Sequence, residues 1–154
     1  MLESFAQWCF QLSLAEAIRS VAWPFPTIEI VHLAGLVLVF GSMLILNLRL
    51  FGVILKDAPA PQVVQGLAPW TLVGLGFQVV SGPLMFIASA TRFYQSPAFR
   101  VKLALIAAAL IYHFAVHRRA ASSASRWKAR LSATISMALW IGVFLAGMGI
   151  ELLA

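Results

Sequence analysis

The groups able to do chemistry in this chain stand inside or at the edge of otherwise apolar stretches: His32, His113 and His117, with Lys102, Glu29 and Glu151. Ionisable side chains within such stretches are costly and by default point to function. An imidazole at depth serves as an axial ligand to haem iron, as a metal ligand, or as a partner in an interhelical hydrogen bond. For His32 the hydrogen bond and the cofactor role both stand. His117, beside Arg118 and Arg119, reads as a residue of the interface rather than a ligand.

Helical spacing assembles these groups with small residues on single faces. One face carries Glu29, His32, Gly35, Val39, Ser42, Leu46 and Arg49; another carries Lys102, Ile106, Ala109, His113 and His117. Between them in sequence lie Gly74, Gln78, Ser81, Met85 and Ser89, and a last stripe runs Ser132, Ser136, Trp140, Val143, Gly147 and Glu151. Lipid-facing positions would not collect polar and small residues in this way. Close helix packing through small residues accounts for most of the serines and glycines, but less well for the histidines and the lysine. Pro83 in Ser81-Gly82-Pro83 removes a helical hydrogen bond at the carbonyl of Val79, so a bend is expected there. That bend reads either as a tolerated kink or as room for a ligand.

Depth separates two sites. His32 stands five residues beyond Thr27 and His113 sixteen beyond Pro97. At helical rise the two levels differ by about 16 Å, and a tilt of ~20° does not close that gap. The difference argues against one iron held by both. His32 falls to an outer-half site with Lys102, Gly82, Gly147, Met148 and Glu151; His113 falls to an inner-half site with His117 and Asn47. Cys9 is the only cysteine, and Met43, Met85, Met137 and Met148 are scattered, which argues against a soft copper site. Serine-nucleophile, phosphate-loop and paired-carboxylate patterns are absent from the sequence.

The elements that must position these groups are four apolar segments, Ile30–Leu46, Leu67–Ala90, Leu103–Val116 and Leu131–Leu153. With 62% hydrophobic and 10% charged residues and a mean hydropathy of +0.93, the chain reads as an integral membrane protein. The expected fold is all-α: an antiparallel four-helix membrane bundle, a single domain over 1–154, with an interfacial segment 1–26 and spans near 27–55, 67–91, 97–117 and 130–153. Ser13-Leu14-Ala15-Glu16 has the form of a capping box, giving interfacial helices near 2–12 and 14–22, and Thr27 is the expected cap of the first span. Ser96-Pro97 supplies a cap and a first-turn proline for the third.

Charge sets the direction. Arg49, Lys56, Arg118, Arg119, Arg126, Lys128 and Arg130 against Asp57 give one side a net +6. The other side balances Arg19, Arg92, Arg100 and Lys102 against Glu3, Glu16, Glu29 and Glu151. Basic short loops stay cytoplasmic, so both termini are expected outside, on the periplasmic face of a bacterial inner membrane. The same distribution assigns the positive charge to topology and to anionic lipid headgroups, and removes nucleic acid as a partner.

Trp23-Pro24-Phe25-Pro26, His32-Leu33-Ala34-Gly35, Asn47-Leu48-Arg49-Leu50-Phe51-Gly52 and Ser96-Pro97-Ala98-Phe99-Arg100-Val101-Lys102 resemble an uncharacterised family of small bacterial inner-membrane proteins. More distantly, the layout is similar to the superfamily of copper-resistance D membrane proteins and HemJ-type protoporphyrinogen oxidases. That resemblance implies a haem b site, with His32 and Lys102 at the positions essential in the HemJ-type enzymes. The Asn47–Gly52 stretch lacks the Tyr and His that flank the matching arginine there. The expected function is a b-type haem or porphyrin-binding bundle serving electron transfer near the outer face, with His32 as axial ligand. Lys102 would face it as second ligand or propionate partner, and Gly35, Gly82 and Gly147 would admit the macrocycle. A redox partner is expected with it. The alternatives are an accessory subunit of a larger membrane complex, or copper uptake.

Overall fold

A computed structural model describes residues 2–117, 119 and 125–152, with side chains over 3–117, 119 and 125–150. Arg118, Ser123 and the side chain of Glu151 lie outside the described residues. Helices α1 (Leu2–Phe10) and α2 (Ser13–Ser20) precede the long helices α3 (Pro24–Phe51) and α4 (Ala60–Ala88). A short α5 (Ala90–Gln95) leads to α6 (Pro97–Tyr112), which continues as one wide π turn over His113–His117. α7 (Arg126–Leu152) closes the order, and no strand occurs among the described residues. Four helices, Pro24–Phe51, Ala60–Ala88, Pro97–His117 and Arg126–Ile150, are long and apolar enough to cross a membrane. The expected all-α membrane bundle is the observed class.

Local chemistry explains the ends, and corrects several of the expected ones. Pro24 and Pro26 sit in the first turn of α3, where a missing N–H costs nothing, so the helix starts ahead of Thr27. Thr27 is therefore no cap; its hydroxyl donates back to the Trp23 carbonyl at 2.8 Å. Ser13 likewise lies inside α2, whose cap position is Leu12 without a side-chain hydrogen bond, so the capping box does not form. The Ser96 cap does form, accepting from the Phe99 N–H at 3.3 Å with Pro97 behind it. α3 stops at Phe51 rather than near 55 because Gly52 takes the left-handed conformation (φ 79°). Its N–H bonds the Arg49 carbonyl and the Val53 N–H the Leu48 carbonyl, a Schellman ending. Arg49 Nε then ties down the following loop through the Ala58 carbonyl at 2.8 Å.

α3 packs along α4 in the most extensive contact of the fold, α6 packs along α7, and α3 meets α7 to join the two pairs. α4 and α6 make no comparable contact. A seam thus runs between them, bridged at the outer end by α5 and by Phe99, which stacks between Phe86 (5.5 Å) and Phe93 (5.4 Å). α3 and α4 approach through glycine: a Cβ at Gly35 would lie 2.9 Å from the Gly74 carbonyl oxygen, and one at Gly74 would lie 2.8 Å from that of Gly35. α1 lies against α5 through Ala6, Cys9 and Ala90, while Phe5, Trp8 and Trp23 stay exposed as amphipathic anchors for an interface. Arg19 holds the turn between α1 and α2, donating to the Phe10 carbonyl (2.8 Å) with its guanidinium over the Phe10 ring.

Candidate functional site

Two of the cavities along the bundle separate His32 from His113, and they are called outer and inner after the expected direction of insertion; Gly82 does not line the outer one, nor His117 and Asn47 the inner one. The outer one, about 260 Å³, receives Glu29 and His32 from α3, Met85 from α4, Lys102 from α6, and Gly147 and Met148 from α7. Its other walls are apolar, Leu36, Ile106 and Trp140 among them. The inner one, about 140 Å³, is bounded by α3, α4 and the π turn, and His113 belongs to it. His32 and His113 are therefore not brought together.

His32 is held by proton bookkeeping that can be worked out. Ser81 has one hydroxyl proton and donates it to the Phe77 carbonyl, one turn back on α4. Its oxygen lies 2.8 Å from His32 Nδ1, so Nδ1 must be the donor in that bond. In the neutral ring that arrangement leaves the lone pair on Nε2. Gln78 Nε2 donates to the His32 backbone carbonyl at 2.8 Å, clamping the same residue to α4 a second time. Gly82 lies beside the ring, where an added Cβ would stand in ordinary contact 3.8 Å from His32 Cε1. Ring and backbone are both held by one face of α4, the arrangement that orients imidazole ligands elsewhere.

The three glycines expected to admit a macrocycle turn out to do different things. Gly35 is absent from the cavity lining and belongs to the α3–α4 crossing instead. Gly82 lies beside the His32 ring. Gly147 lines the cavity and takes the Lys102 stem, whose Nζ would be 3.5 Å from an added Cβ. Met85 and Gln78 were readable as members of the second stripe, but nothing in their spacing marked them as companions of His32.

The inner half holds a polar cluster around the π turn. His117 is fully buried within the bundle, its Nδ1 2.8 Å from Ser132 Oγ, which also accepts from the Tyr112 hydroxyl at 3.1 Å. The rings of His113 and His117 stand 5.8 Å apart. One turn along α7, Ser136 Oγ accepts a long 3.3 Å bond from Asn47 Nδ2. Asn47 Oδ1 and His117 Nε2 are buried without a hydrogen-bond partner among the described residues. A buried amide with one long bond and an orphaned carbonyl does little for stability. Asn47→Leu is therefore expected to leave the resistance of the bundle to denaturing detergent unchanged or to raise it. A clear loss would show that Asn47 carries more than the Ser136 bond.

The geometry defines a class: a multi-pass helical membrane protein whose spans enclose two cavities, the outer one with an oriented imidazole. The chain belongs to a family of unknown function (DUF6644), whose pattern matches residues 20–152 and so includes every group of both cavities. No curated protein and no solved structure matches it. None of these comparisons supports the more distant likeness to copper-resistance D and HemJ-type proteins.

Proposed function

We propose that the outer cavity binds a b-type haem or a close porphyrin relative and serves electron transfer near the outer face. The observation that carries this reading is the Ser81 hydroxyl on His32 Nδ1, which anchors the imidazole by one nitrogen beside a cavity of largely apolar walls. Met85 and Met148 add thioethers to the same lining, and a histidine with a methionine is an axial pair of electron-transfer haems. At about 260 Å³ the cavity is smaller than the ~300–1,000 Å³ of drug-sized sites, so it seats one edge of the macrocycle. Bound haem supplies one-electron redox chemistry; the chain orients the ligand imidazole through Ser81 and Gln78, excludes water with apolar walls, and places the Lys102 charge for a propionate. Copper uptake has less behind it: the described residues contain no group of three or more His, Cys, Asp or Glu, and Met43 and Met85 line different cavities.

The absorption spectrum of protein purified after haem-supplemented expression tests the proposal; a Soret band with a reduced α band is expected. A colourless protein would shift the weight to an accessory subunit. One observation favours that second reading: α6 buries only Ala109, leaving most of its surface for lipid or for a partner helix.

The direction of insertion belongs to the same proposal. The net +6 on one side and zero on the other predict an inner-membrane protein with both termini periplasmic. In a Cys9→Ser background, a cysteine at Gln95 should react with an impermeant thiol reagent added from the periplasm, and one at Ser123 should not. The reverse pattern would overturn the orientation.

A further inference from the structure

The inner cavity has no part in the haem reading, and two of its three polar side chains, Ser42 and Thr71 beside His113, have a definite hydrogen-bonding character. Its apolar walls come from Leu46, Leu67, Leu72 and Phe114, and Ser42 and Thr71 supply hydroxyl oxygens from α3 and α4. Both are buried, with 4% and 6% of their surface exposed. Ser42 Oγ donates to the Leu38 carbonyl at 2.7 Å, and Thr71 Oγ1 donates to the Leu67 carbonyl at 3.1 Å. A hydroxyl has one proton, and in each case it is committed to the helix backbone. What both oxygens retain is lone pairs. The two helices thus present acceptors to the cavity, in a setting where no bulk water competes.

Size narrows the ligand further. An engineered apolar cavity of ~150 Å³ takes up benzene, so about 140 Å³ is room for a single six-membered ring. Leu72 and Phe114 line the cavity and are exposed on the outside of the bundle, so an apolar substituent can continue past them toward the lipid. We propose that the inner cavity binds a hydroxylated single-ring aromatic with an apolar tail, a phenol or hydroquinone taken from the bilayer. Its O–H groups meet the acceptor oxygens of Ser42 and Thr71, and the Phe114 side chain faces its ring. The matching ether has no proton to give and sets oxygen against oxygen at Ser42 and Thr71.

The test uses the full chain in lipid nanodiscs with 4-heptylphenol, heptylhydroquinone and the methyl ether of the phenol as probes. Binding is read by calorimetry after subtraction of empty discs. Saturable binding of the phenol or the hydroquinone is expected, and their relative affinities tell whether one hydroxyl or two are recognised. The ether should bind about tenfold more weakly, the loss of one buried hydrogen bond. Thr71→Val, equal in shape, and Ser42→Ala should each weaken the hydroquinone by a similar factor, and one of the two should weaken the phenol, without changing the ether. Ala68→Phe, which fills the cavity, should remove all three signals, while His32→Ala should change none. The haem reading can thus fail while this one stands. Uptake no different from empty discs, an ether that binds as tightly as the phenol, or hydroxyl-deleted variants indistinguishable from wild type would each overturn the proposal.

Discussion

Replacing His32 with alanine is expected to strip the protein of bound haem, lowering the Soret absorbance per folded chain by tenfold or more (about 1.4 kcal/mol per decade of affinity). His32 brings the one imidazole into the outer cavity, and the Ser81 bond anchors that ring by Nδ1. Ser81→Ala removes that anchor without touching the ligand atom. Losses of orienting partners typically cost about 10–100-fold in affinity, so a weakened, shifted spectrum is expected rather than its disappearance. His117→Ala should keep the spectrum, because His117 is tied to Ser132 in the inner half. Lys102→Gln should lower retention and Arg100→Gln should not, since Lys102 lines the cavity and Arg100 does not. Equal haem content in wild type and His32→Ala would remove the assignment; equal losses at Lys102 and Arg100 would reduce the lysine to a surface charge.

The second large effect concerns the fold. Gly74→Ala should destabilise the bundle by about 1–3 kcal/mol, the usual cost of overpacking a tight contact. The added Cβ would stand 2.8 Å from the Gly35 carbonyl oxygen, the Leu38 Cβ and Val39 Cγ2, and a backbone atom on a packed helix cannot step aside. Gly76, two residues on, has nothing within 4 Å of its would-be Cβ. Gly76→Ala should therefore be neutral or slightly stabilising, since alanine loses less backbone freedom than glycine in a helix. Unfolding in mixed detergent micelles as the SDS fraction rises reads both. The same midpoint for Gly74→Ala and wild type would mean that α3 and α4 are held apart by something other than these glycines.

The inward faces of the four spans were legible in the sequence. Every residue of the four stripes with a described side chain is buried or partly buried, from Glu29 and Gly35 on α3 to Ser136 and Val143 on α7. The reason is that lipid and interior differ in polarity and in tolerance of small residues, and helical spacing records the difference directly. Helix ends were less legible. Two prolines in one first turn start α3 at Pro24, a left-handed glycine stops it, and α7 begins at Arg126 rather than near 130. The arginines after His117 suggested an interfacial position but not its burial against α7, because linear neighbours say nothing of what a facing helix covers. The role of Ser81 follows from a cross-helix bond whose direction depends on the Phe77 carbonyl, and no spacing rule carries that.

The missing contact between α4 and α6 also bears on how the chain comes to be folded. α3 with α4, and α6 with α7, are hairpins of sequence neighbours, so each can close while the other is still being made. Contacts local in sequence form early and fast. The remaining event is docking of two preformed pairs along α3 and α7, the narrower of the large interfaces. Both cavities draw their walls from α3 and α4 of the first hairpin and from residues of the second. Neither is complete until the hairpins dock, so a ligand seated across them would act as a late staple on the assembly.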